Sequence, residues 1–100
     1  MNINTSTSDE ENIEYSRLAS KVIESFDRKT KLRIKSAITG LTDKPPKGDI
    51  KKLKGYTDER FRLRKGGIRI IYKFITKKTD IDHKEIIYIM DVGVRGGIYK

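Results

Sequence analysis

The sequence predicts an α+β domain, a two-helix hairpin packed on one face of a small, mainly antiparallel four-stranded sheet. Three observations predict it. Apolar residues recur at helical spacing over residues 17–41, they alternate with charged ones over residues 60–74, and they run almost without interruption over residues 85–92. Helices grouped ahead of a block of strands segregate to one side of the sheet.

Ile13-Glu14-Tyr15 is a short extended segment. Ser16 after it is a suitable N-cap for a helix from Arg17 to Phe26, in which Leu18, Val22 and Phe26 form a stripe flanked by Ala19 and Ile23. Asp27 caps a second helix over residues 28–41, with Ile34, Ala37, Ile38 and Leu41 on its apolar face and Lys29, Lys31, Arg33 and Lys35 mostly toward water. Residues 42–49 read as a loop, because Pro45 and Pro46 cannot continue a helix. Beyond it, Ile50 and Leu53 are the only apolar anchors before Gly55.

Arg60-Phe61-Arg62-Leu63-Arg64, the turn Lys65-Gly66-Gly67 and Ile68-Arg69-Ile70-Ile71-Tyr72-Lys73-Phe74 read as a hairpin. Successive strand side chains point to opposite faces, so Phe61, Leu63, Ile68, Ile70, Tyr72 and Phe74 belong to the core. Arg60, Arg62, Arg64, Arg69 and Lys73 line the other side. Three strand arginines with no acid among them repel one another unless an anion is intended, so this face suits a polyphosphate. Residues 85–92 form a central strand covered on both faces, ended by Gly93 and followed by a short glycine-containing tail. The expected core is Phe61, Leu63, Ile70, Tyr72, Tyr88 and Met90 beneath Leu18, Val22, Ile34 and Ile38.

The 100 residues suffice for one domain, expected over 13–100, with residues 1–12 a disordered polar and acidic tail. Asp9, Glu10 and Glu11 in that tail offer an alternative role, folding over the basic face. The net charge of +9 is local: residues 47–73 hold ten Lys or Arg against three Asp or Glu, a net +7. Nucleic acid is the commonest partner of such a patch, and an acidic protein or an anionic membrane surface would also satisfy it. With no cysteine and only His83, in a stretch that reads as a polar turn, neither a metal site nor a cofactor is expected, and a Ser-His-Asp triad has little support. No apolar run approaches the roughly 20 residues of a membrane span, and the start lacks a secretory h-region, so a cytoplasmic protein is expected.

The order of elements resembles the RelE/ParE superfamily of toxins from type II toxin–antitoxin systems. The likeness is carried by Pro45-Pro46-Lys47-Gly48-Asp49, Lys51-Lys52-Leu53-Lys54-Gly55, Phe61-Arg62-Leu63-Arg64, Ile68-Arg69-Ile70-Ile71-Tyr72 and Asp91-Val92-Gly93-Val94-Arg95 with Tyr99. It spans residues 13–100. The RelE branch enters the ribosomal A site and cuts mRNA through the RNA 2′-hydroxyl. The resemblance therefore implies an mRNA endoribonuclease with Arg62 and Arg64 as the paired basic residues of the first hairpin strand. It makes Arg69 the phosphate-binding arginine, Arg95 the arginine after the last strand and Tyr99 the C-terminal tyrosine. Arg60, Lys51, Lys52, Lys54 and Lys73 flank this set as RNA-binding residues.

The implied partners are an acidic antitoxin, mRNA and the ribosome. One departure stands out. Where active relatives carry a group able to accept a proton, this chain has Arg62, Arg64 and Val94, and guanidinium stays protonated at neutral pH. Lys52 or Lys54 would have to reach in from the loop, or catalysis would rest on positioning and charge. A ParE-like poison of DNA gyrase, which needs no catalytic residue, and a non-catalytic RNA- or protein-binding domain of the same fold are the alternatives.

Overall fold

The computed structural model describes residues 12–78 and 83–94. Strand β1 (Ile13–Tyr15) leads into helix α1 (Arg17–Glu24) and helix α2 (Arg28–Thr39), and a 3-10 turn (Gly40–Thr42) follows. Strands β2 (Asp49–Lys52), β3 (Phe61–Lys65), β4 (Ile68–Lys78) and β5 (His83–Val94) complete an open sheet in the order β1-β5-β4-β3-β2. All neighbours are antiparallel except β1, which runs parallel to β5. The α+β expectation holds, but among the described residues the sheet has five strands rather than four.

The additional strand is β2. With Ile50 as its one apolar residue it carries no period-two signal, and it is a strand because β3 offers it a partner. Gly48 lets the chain approach. Its φ is +124°, and a Cβ there would lie 2.5 Å from Leu63 Cδ1. The β3–β4 turn likewise needs Gly66, at φ +60° in the first central position, where a type II′ turn places glycine.

Both helices start at the expected caps. The Ser16 hydroxyl accepts from Ala19 N–H at 2.9 Å, and the Asp27 carboxylate accepts from Thr30 N–H at 3.0 Å. Helix α1 stops at Glu24, short of Phe26, and α2 tightens into the 3-10 turn from Gly40. His83, expected in a polar turn, opens β5, and the strand runs through Gly93 to Val94. Asn12, placed in the tail by the sequence, is hydrogen-bonded to the sheet: its carbonyl accepts from Ile87 N–H at 2.8 Å.

The core lies between the helices and one sheet face. Ala19, Ile23, Ile34, Ile38 and Leu41 meet Ile13, Leu63, Ile68, Ile70, Tyr72, Ile87, Ile89 and Val92, with Val22, Phe26 and Phe61 partly buried at its margin. Four expected core residues are displaced: Phe74, on the inward side of β4, is 38% exposed, and Leu18, Tyr88 and Met90 also lie outside the core. Leu18 is exposed, because α1 turns its Ala19–Ile23 side inward. Tyr88 and Met90 are only half-buried. Their displacement has a physical cause in a β-bulge: Ile71 pairs Asp91 but Tyr72 pairs Ile89, so Met90 has no partner and the inward phase shifts by one residue. Before the bulge Ile87 and Ile89 face the helices. After it Val92 does. Ile86 is buried on the opposite face, so this strand is covered on both sides there.

Candidate nucleic-acid interface

The register across the helix-free face sets the site. One cross-strand row runs Asp49, Arg64, Arg69, Gly93, and the next runs Lys51, Arg62, Ile71, Asp91. Adjacent members of such a row sit about 5 Å apart at Cβ, so Arg64 and Arg69 are neighbours across β3 and β4. Arg60 just precedes β3, and its guanidinium lies 4.2 Å from the ring centroid of the half-exposed Tyr56, a cation–π contact. Tyr56 has no periodic neighbour in the sequence to mark it.

Two carboxylates pair with these cations, and a third, Asp91, ends the second row. Arg62 donates from Nη2 to Asp49 Oδ1 and Arg64 donates from Nε to Asp49 Oδ2, both at 3.2 Å. Arg60 Nε donates to Asp58 Oδ1 at 2.7 Å, and Lys73 Nζ donates to Asp58 Oδ2 at 3.1 Å. These hydrogen bonds, that from Arg60 first, hold the Asp58 carboxyl below its usual 3.8. The expectation of an arginine row free of acids is therefore corrected. Asp49 and Asp58 come from outside the strand that carries the arginines, where a pattern read along one strand does not find them. A signal was nonetheless present for Asp49: if Asp49–Lys52 is extended and antiparallel to β3, its first residue falls opposite Arg64.

The remaining cations divide. Arg69 is exposed and forms no ion pair among the described residues, next to a recess shared with Ile71, Asp91 and Gly93. Lys51 lies beside Arg62. Lys52 shares the face of its partner Phe61, on the helix side, and pairs with Glu59 at 3.3 Å, so it does not join the arginines. Lys54 is exposed in the loop closed by the bond from Leu53 N–H to the Arg60 carbonyl, at 2.9 Å. Arg95 and Tyr99 lie outside the described residues.

Arg62 is the most enclosed of the described arginines, its side chain 15% exposed and its Nε buried without an acceptor among the described residues. Arg64 and Arg69 are the more open pair. Together they present fixed positive charge on a rigid sheet, which can bind phosphate oxygens and stabilise charge that grows on them. Ile71, half-buried in the middle of the face, offers apolar contact beside them. Among the described residues no helix is long and apolar enough to cross a membrane. Comparison of the chain with protein-family models, curated proteins and solved structures returned no match.

Proposed function

We propose that the arginine face binds RNA phosphates, and that the chain is the toxin of a type II toxin–antitoxin system. In this reading it is a RelE-like, ribosome-dependent mRNA endoribonuclease working in the cytoplasm. The observation that carries the proposal is the juxtaposition of Arg64 and Arg69 across paired strands, with Lys51 and Arg62 in the next row. In the cleavage step the RNA 2′-hydroxyl gives up its proton and its oxygen attacks phosphorus. The bond from phosphorus to the 5′-oxygen breaks, leaving a 2′,3′-cyclic phosphate, and the departing oxygen takes a proton. Arg64 and Arg69 stabilise the charge on the phosphorane oxygens, and Arg62 reaches the same phosphate from beside Arg64. Arg95 and Tyr99 are proposed to complete the site on the strength of the resemblance alone. Inhibition follows if an acidic antitoxin segment covers Arg64 and Arg69.

A gyrase-poison reading has one observation in its favour: the strand positions that face the proposed phosphate carry guanidinium groups, which do not accept protons. The deciding experiment is controlled expression without antitoxin, with mRNA ends mapped and gyrase cleavage complexes assayed in parallel. The nuclease reading expects new mRNA ends that disappear in Arg69→Ala. Growth arrest with intact mRNA and trapped gyrase would replace it with the second reading.

A further inference from the structure

We infer that Asp49 is an intrachain stand-in for phosphate: its carboxylate occupies the position that an RNA phosphodiester takes on Arg62 and Arg64, and single-stranded RNA binds by displacing it. The inference deepens the proposed function and rests on its claim that this face binds RNA phosphates.

The geometry has the form of a phosphate clasp, with two oxygens of one anion each accepting from a different guanidinium, Oδ1 from Arg62 and Oδ2 from Arg64. Both distances are 3.2 Å, at the long end for a hydrogen bond and beyond the roughly 2.7–2.9 Å of a good charge-assisted one. The Asp58 clasp is closer, at 2.7 Å to Arg60, and its side chain is 32% exposed against 54% for Asp49. Asp49 is thus the weaker and wetter of the two anions, and exposed ion pairs of this kind are readily exchanged. Displacement needs only side-chain rotation. The backbone stays in place because β2 is hydrogen-bonded to β3 and Gly48 is seated against Leu63.

While Asp49 is in place, its charge cancels one of the two arginine charges. A ligand phosphate that displaces it meets both. Removing the carboxylate should therefore strengthen binding, and should raise the number of phosphates neutralised on binding by about one.

The test is fluorescence anisotropy with a 2′-O-methyl RNA of about 12 nucleotides, long enough for one single-strand site and unable to undergo cleavage through the 2′-oxygen. The parent chain is compared with Asp49→Asn, with Asp49→Ser and with Glu24→Gln. The last makes the same charge change at a surface pair with Lys31 on the helix layer. Thermal unfolding of each variant confirms the fold. Both Asp49 variants should bind about threefold to tenfold more tightly at roughly 100 mM salt, with the slope of log K against log salt steeper by about 0.7. Glu24→Gln should change affinity less than about twofold. Equal or weaker binding by both Asp49 variants, with the parent still binding, overturns the inference and leaves the proposed function standing. An equal gain in Glu24→Gln also overturns it, since the effect would then be one of net charge. No salt-dependent binding by any of the four chains removes the RNA-phosphate reading itself, and this inference with it.

Discussion

Leu63 shows how a single position divides this strand into a core side and a charged side. It is 2% exposed, between the outward Arg62 and Arg64, and it lies against Gly48, where the chain enters β2. Leu63→Ala removes three buried heavy atoms and leaves a cavity, so unfolding free energy should fall by about 2–5 kcal/mol in urea titrations. A loss below about 0.5 kcal/mol would place the core on the other face. Tyr72, its diagonal neighbour across β4, is as deeply buried and stacks on Phe61 at 5.5 Å. Burial pushes its phenol up to about 12.

At the scale of elements, the junction between β1 and α1 does more than start a helix. The Ser16 hydroxyl caps α1, and the same hydroxyl donates to the Met90 carbonyl at 2.8 Å. Ser16 N–H also donates to the Ile89 carbonyl at 2.9 Å. Met90 is the unpaired residue of the bulge, so one side chain ties the helix layer to the irregular point of the sheet. Ser16→Ala should therefore cost about 1–2 kcal/mol, more than a cap of the same type exposed to water, and Ser16→Thr should restore most of it. Asp27→Ala supplies the comparison, since Asp27 caps α2 from a fully exposed position. Equal losses at the two caps, measured by chemical denaturation, would mean that the bond to Met90 contributes nothing.

For the molecule as a whole, charge governs the acid limb of stability. Asp58 is held below 3.8 by Arg60 and then Lys73, and Asp27 is held below 3.8 by its hydrogen bonds to Thr30. Below 3.8 the unfolded chain takes up these protons first. The stabilisation is thus fully present above that value and is lost as pH falls through the lower folded values. Protonation also raises a net charge that already stands at +9 at pH 7, which adds self-repulsion. The urea midpoint should hold from pH 7 to about 4 and decline below it, with added salt recovering part of the loss. Asp58→Asn should show a shallower decline. An acid limb identical to the parent's would mean that the Asp58 clasp adds no stability.

The sequence by itself determined the α+β class, both helix starts, the inward and outward faces of the β3–β4 hairpin and the concentration of positive charge on residues 47–73. Each of these rests on local physics: a cap residue acts within one turn, and the two-residue strand period fixes which side chains share a face. Tertiary structure alone decided the rest. Strand β2 exists because β3 pairs with it, and the bulge at Met90 follows from the register between β4 and β5, so neither has a signature along its own segment. The inward side of α1 was set by which residues the sheet could accept, which placed Ala19 inside and Leu18 in water. Asp49 was visible as a loop acid, but its place between Arg62 and Arg64 appeared only when a third strand aligned beside them. The charge of a surface is read along the chain, whereas the neutralisation of that charge depends on which strands lie side by side.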